Sequence, residues 1–213
     1  MSTLRLLTLP PSPHNTKVRL ALELKGLDYE PHAFEGFDGR DAIVEASGQP
    51  LTPVLIDGDR KVYDSFGIVR YLDANWPEPK LFPTTREGMR EVEGWERFAL
   101  NGVGPVLGMI LGQAIAGTDD KATIALADRL LQESAARVEA ALAGKQWLVG
   151  DTIGAADITV APFLAPGVLD ENHHDAGSFL RFVTDRYRLS PRFPMTRAWV
   201  TRVMAHDKSG IWS

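Results

Sequence analysis

The residues best suited to chemistry lie in two short stretches, Thr52-Pro53-Val54-Leu55 and Tyr63-Asp64-Ser65. Proline cannot donate to a sheet ladder, so Pro53 marks the first residue or the edge of a short apolar strand. A cis Thr52-Pro53 bond there would be a built feature. Asp57-Gly58-Asp59 is a hairpin signal between apolar runs, and Lys61-Val62-Tyr63 returns from it. Asp64-Ser65 then precedes Phe66, Ile68, Val69 and Leu72, which is the pattern of a helix start. Free N–H groups at such a start, together with the Ser65 hydroxyl, receive a carboxylate. The Asp64 carboxylate receives an ammonium. Strand, turn, strand and anion-ready helix read as half of a small-peptide site. The plainer reading, a helix cap, is compatible with it.

Upstream, Ser12-Pro13-His14-Asn15 precedes an apolar helical stripe. On position alone Ser12 is a turn residue before a proline. Asn15 is a natural N-cap, and His14 reads as a solvated or cleft-lining side chain. The chain has no cysteine, which excludes disulfides, cysteine metal ligands and a protein thiol nucleophile. His173-His174 with Glu171 and Asp175 lacks zinc-ligand spacing and is read as loop, so no metal is expected.

The elements that must position these residues change character near residue 80. Before it, Arg5-Leu6-Leu7-Thr8-Leu9 reads as a strand, and Val18, Leu20, Ala21, Leu22 and Leu24 as a helix ended by Gly26. Residues 27–34 read as a second strand, with Pro31 pointing to an edge, and 38–46 as a weak helix. The proline-led hairpin and a helix over 65–75 complete an α/β unit. Pro77, Pro79 and Pro83 mark a stiff connector. Helices are expected over 86–116, 119–143, 154–168, 176–187 and 194–206. The fold class is therefore α/β plus all-α, with domains at 1–78 and 86–213 and a linker at 79–85.

A net charge of −5 argues against a nucleic-acid partner. The N-terminus lacks a signal pattern, so a cytoplasmic address is expected. Residues 98–118 carry no charge and approach the length of a membrane span. Their glycines, Pro105, Asn101 and Gln113 favour a helix buried centrally in a soluble bundle, with no membrane partner. Gly104, Gly108 and Gly112 fall on one face of that helix, where they allow close packing or a bend near Pro105. Trp76, Trp95, Trp147 and Trp199 are expected in cores or a domain interface, and the role of Trp212 is open.

The whole chain resembles a serine-type cytosolic glutathione transferase, similar to bacterial theta, zeta and nu members. The match rests on Ser12-Pro13-His14-Asn15-Thr16-Lys17-Val18-Arg19 with Lys25-Gly26-Leu27-Asp28-Tyr29-Glu30, on Thr52-Pro53-Val54-Leu55 with Asp64-Ser65, and on Gly150-Asp151-Thr152 with Ala156-Asp157-Ile158. The resemblance implies a thioredoxin-like N-terminal domain followed by an all-helical bundle. It implies glutathione as co-substrate, a small hydrophobic electrophile, a detoxifying transferase and a homodimer. Ser12 takes the catalytic position, where a hydroxyl donating to the thiolate lowers its pKa, and Asn15 is a candidate to assist. Glutathione binding is implied for Thr52, Pro53, Asp64 and Ser65. An acceptor-substrate pocket at the domain junction is implied for His14, Gly104, Met109 and Ile110, with Phe179, Phe182 and Tyr187 contributing.

The chain departs from the family pattern at two points. Asp64 is one methylene shorter than the usual Glu or Gln. Leu51 stands where many relatives have Lys or Gln, so Arg40, Gln49 and Lys17 are candidates for the glycyl carboxylate. Without a cysteine, the thiol-transferase branch is disfavoured. Rival readings are a non-catalytic binding or interaction protein, a carrier of apolar ligands, and a glutathione-dependent isomerase, lyase or peroxidase. Gly154 with Asp157 is read as a folding element in which the carboxylate bonds back to the Gly154 amide.

Overall fold

A computed structural model describes residues 3–33, 40–170 and 173–211. The chain forms two compact units, Met1–Phe82 with Ala205–Ser213, and Pro83–Met204.

The first unit is built on a sheet of order β2-β1-β3-β4. Its strands are β1 (Leu4–Thr8), β2 (Tyr29–Ala33), β3 (Val54–Asp57) and β4 (Arg60–Tyr63). Strand β1 is parallel to β2 and antiparallel to β3, and β3 and β4 form a hairpin closed by Gly58 at φ 58°. Pro31 lies in β2, an edge strand, where its missing N–H costs the ladder little. Phe34 and Asp38, the outer ends of the expected second strand and weak helix, lie outside the described residues. Helix α1 (Pro13–Leu24) connects β1 to β2, α2 (Arg40–Ser47) follows, and α3 (Ser65–Asn75) follows β4. Leu7, Val54 and Ile56 bury one sheet face against Ile43 of α2, while α1 packs against α3.

Two boundaries differ from the sequence expectation. The connector divides at Phe82, and its first part belongs to the first unit, where the buried Lys25 ammonium donates to the Trp76 and Pro79 carbonyls and to Asp73, at 2.6–2.9 Å. The C-terminal segment from Ala205 also joins this unit instead of the helical one. Asp207 pairs with Arg19 of α1, and Lys208 pairs with Glu23.

The second unit is helical. It contains α4 (Arg86–Phe98), α5 (Gly104–Ala116), α6 (Lys121–Ala141), α7 (Ala155–Leu164), α8 (Phe179–Arg186) and α9 (Pro194–Met204). A π-helical segment, Ala99–Val103, joins α4 to α5. Asp120 and Ser178 cap α6 and α8 through bonds to the third residue beyond. The core helix is α7, buried from Ala155 to Leu164. Its Asp157 accepts from the Gly154 amide at 3.0 Å, as the sequence pattern implies, and also from the Leu148 amide and the Trp199 indole. Of the four tryptophans expected in cores, Trp199 is fully buried, while Trp76, Trp95 and Trp147 are half-buried.

The uncharged run over 98–118 is not the central buried helix that its composition suggests. Only Val106, Leu107 and Ile110 of α5 are buried, and Gly108, Gly112 and Ile115 are exposed. Small residues made the stretch apolar on average without giving it enough side chain to fill a core. The glycine stripe divides accordingly. A Cβ at Gly104 would lie 2.6 Å from the Ala99 carbonyl oxygen, whereas one at Gly108 or Gly112 meets open space.

Candidate active site

Three loops converge at the N-terminal ends of α1 and α3. The first, Leu9 to Pro13, holds three prolines and therefore only two backbone donors, Leu9 and Ser12. Both are used. The Ser12 amide donates to the Leu9 carbonyl at 3.1 Å, and the Leu9 amide donates to Asn15 Oδ1 at 3.2 Å. Ser12, not Asn15, is the N-cap residue, with Pro13 at the first helical position. Its carbonyl accepts from the Asn15 and Thr16 amides, and its hydroxyl makes no capping bond. That hydroxyl is half-buried at the mouth of the helix.

Asn15 is fully buried within the first turn. Its Nδ2 donates to Thr52 Oγ1 at 3.2 Å. With both ends of its amide engaged and no exposure, Asn15 acts as a brace between the Ser12 loop and the proline turn. The proposed contact with a thiolate is not available to a side chain so enclosed. Thr52-Pro53 is cis. The Thr52 main chain lies just before the β3 ladder, which begins at Val54.

Asp64 caps α3 by accepting from the Phe66 amide at 3.1 Å. Its φ of 67° is a conformation that side chains other than glycine adopt at a cost of order 1–3 kcal/mol. The strained turn leaves the carboxylate exposed and Ser65 buried at the start of the helix. His14 Nδ1 sits 3.4 Å from Ser65 Oγ, which ties the first turn of α1 to the start of α3. Burial first, and the nearby Lys17 ammonium second, lower the His14 pKa to about 4 against the opposing charge of Asp64. The imidazole is therefore neutral at pH 7 and offers either a donor or an acceptor to Ser65.

The candidates for a glycyl-carboxylate contact fare unequally. Gln49 is turned back on its own loop, donating to the Leu51 carbonyl and accepting from the Leu51 amide at 2.9 Å. Lys17 is buried with its ammonium 3.1 Å from the Phe66 ring centroid, a cation–π arrangement. Arg40 stands exposed at the first residue of α2. Leu51 is 65% exposed beside the proline turn.

In the helical unit, two expected pocket residues are closed to any ligand. Ile110 and Tyr187 are each 0% exposed, because both point into the helix packing. Burial also raises the Tyr187 phenol strongly. Phe182 is covered by the Arg186 guanidinium at 3.7 Å, and Phe179 is exposed. Met109 lines a groove of about 370 Å³ with Phe98, Pro105 and Leu130, but Gly104 is consumed by helix packing. His173 and His174 stack edge to face at 4.7 Å. Glu171 and Trp212 lie outside the described residues, and among the described residues no group of three metal-ligating side chains occurs.

Residues 6–80 match the N-terminal domain of glutathione S-transferases and residues 105–207 match their C-terminal domain. Glutathione S-transferase 1 of Dianthus caryophyllus is 30% identical over 91% of this chain and 90% of its own. Glutathione S-transferase Z2 of Arabidopsis thaliana is 41% identical, over 32% of each chain. Among solved structures, the theta class enzyme of Xanthomonas axonopodis pv. citri with glutathione bound superposes with a TM-score of 0.78 at 23% identity. It covers 100% of this chain and 99% of its own. A zeta class maleyl pyruvate isomerase gives 0.74 at 22%, covering 97% and 94%. The chain belongs to the glutathione S-transferase family, and its thioredoxin-like and helical domains are those of a glutathione transferase.

Proposed function

We propose that this protein holds glutathione across the α1, Thr52-Pro53 and α3 termini and stabilises its thiolate for attack on a small apolar electrophile, so that a new sulfur–carbon bond joins intact glutathione to the electrophile. The Ser12 hydroxyl donates to the thiolate. The Thr52 main chain and Pro53 pair with the cysteinyl unit. Ser65, the free N–H groups of α3 and the Asp64 carboxylate take the γ-glutamyl carboxylate and ammonium, and Arg40 is the group for the glycyl end. The reading needs no metal. It also takes the protein to be a cytoplasmic homodimer; the exposed apolar positions Leu100 and Ile115 support the dimer.

The observation that carries the proposal is the pair of links from one helical turn: Asn15 to Thr52 and His14 to Ser65. They bring the hydroxyl before α1, the proline turn and the α3 terminus into one site. Two helix N-termini there favour negative charge.

One charge-assisted hydrogen bond contributes about 1.5–3 kcal/mol, which lowers a thiol pKa by one to two units. Ultraviolet titration of bound glutathione should show that shift vanish in Ser12→Ala, with turnover at neutral pH falling about 10- to 100-fold. A wild type without thiolate absorbance, or a variant with the same titration, would sink the assignment. A second reading is glutathione-dependent isomerisation on the same thiolate. It is favoured by the 36% identity, over 32% of this chain, to a zeta class glutathione S-transferase of Euphorbia esula. Turnover of a cis-enone diacid without net loss of free thiol would select it.

A further inference from the structure

Ser12 sits on a loop whose three prolines leave it few handles. Its two amides bond within the loop or to Asn15, and the Pro10 carbonyl is held from outside by Arg19, whose NH1 group donates to it at 3.0 Å. Arg19 is itself buried. Its Nε and NH2 groups donate to the two oxygens of Asp207 at 3.0 and 2.7 Å, and NH2 also donates to Thr16 Oγ1. Asp207 is 188 residues away along the chain, beyond the helical unit. The segment carrying it is secured by the Ser209 amide, which donates to Asp207, and by Lys208, which pairs with Glu23 of α1 at 2.5 Å.

A guanidinium in this position cannot remain buried without its carboxylate. Breaking a buried pair by removing one partner leaves an uncompensated charge, which relaxes towards water. The planar fork fixes where the remaining N–H points. While Asp207 occupies two arms, the third is aimed at Pro10. Once Asp207 is gone, the side chain has reason to leave, and the Pro10 carbonyl loses its side-chain donor.

We infer that Asp207 and Arg19 are positioning residues for the Ser12 hydroxyl: the returning C-terminal segment sets how well the loop presents that hydroxyl to the glutathione sulfur. This rests on the Ser12 reading above. Neither residue touches the thiol. The contact runs from Asp207 to Arg19, from Arg19 to Pro10, and from Pro10 to Ser12 two residues on.

Three proteins test it: the full-length wild type, Asp207→Asn, and the double variant Arg19→Met with Asp207→Leu. The double variant replaces the ion pair by apolar groups, an exchange that is often neutral for stability, yet it also removes the bond to Pro10. Bound glutathione is titrated by its thiolate absorbance, and kcat and KM for glutathione are measured on the same samples. In both variants the thiol pKa is expected to rise by about half to one unit, corresponding to three- to tenfold less thiolate below the pKa. kcat should fall in proportion and KM for glutathione change less than twofold, because the α3 end of the site is untouched. If Asp207→Asn is too unstable to assay, the double variant decides alone. A cooperative melt near wild type with an unshifted thiolate titration overturns the inference. A wild type with no thiolate signal fails the Ser12 assignment itself and is a separate result.

Discussion

His14→Gln should flatten the acid side of this protein's stability curve. The wild-type imidazole has its pKa held at about 4, first by burial and then by Lys17, against an ordinary value of 6.5. Between those values the unfolded chain binds a proton that the folded chain refuses. Unfolding therefore takes up protons, and stability falls as pH drops from 6.5 towards 4. The full gap corresponds to roughly 3 kcal/mol, at most about 1.4 kcal/mol per pH unit. Above pH 6.5 the effect is absent. Glutamine keeps a neutral hydrogen-bonding group beside Ser65 and cannot titrate. Urea unfolding of both proteins from pH 4 to 7.5 is the assay, and the difference between their free energies should grow as pH falls. His174, whose pKa burial also lowers, contributes to both curves and cancels. Parallel curves, or an NMR titration placing His14 near 6.5, would refute the argument. The same titration bears on the site, because a charged His14 beside Ser65 would change what that hydroxyl can accept or donate.

Two further perturbations address the helical unit. Gly104→Ala should destabilise by about 1–3 kcal/mol, because the added methyl meets the Ala99 carbonyl of the π-helical segment. Gly112→Ala, on the same helix with open space around it, should stabilise by about 0.5–1 kcal/mol; thermal melts of the pair separate packing from propensity. Asp157→Ala should cost about 3 kcal/mol or more in chemical denaturation, since the Leu148 and Gly154 amides and the Trp199 indole all lose their buried acceptor.

Local signals carried much of the architecture. Pro53 before an apolar run, Asp57-Gly58 and Asp64-Ser65 are short-range instructions about backbone, and each was legible without its neighbours. The succession of strands and helices along the chain followed from the same punctuation, as did the helical second half, whereas the order of the strands in the sheet came only from the structure. Misreadings arose where average composition stood in for packing. The uncharged stretch over 98–118 looked central, yet only Val106, Leu107 and Ile110 of α5 are buried. Asn15 looked like a cap because asparagine prefers that place, but Pro13 had already set the helix start one turn earlier, which freed the amide to brace Thr52.

What the sequence determined by itself is the backbone frame of the site: where the proline turn falls, where α3 begins, and that a hydroxyl precedes α1. Those features depend on residues within a few positions of one another. Tertiary structure decided which side chains remain available. Gln49 and Lys17 are spent on local partners, Ile110 and Tyr187 are sealed in packing, and Arg19 is committed to Asp207. Such pairings depend on which distant segments the fold brings within 3 Å, and no local pattern encodes a partner 188 residues away.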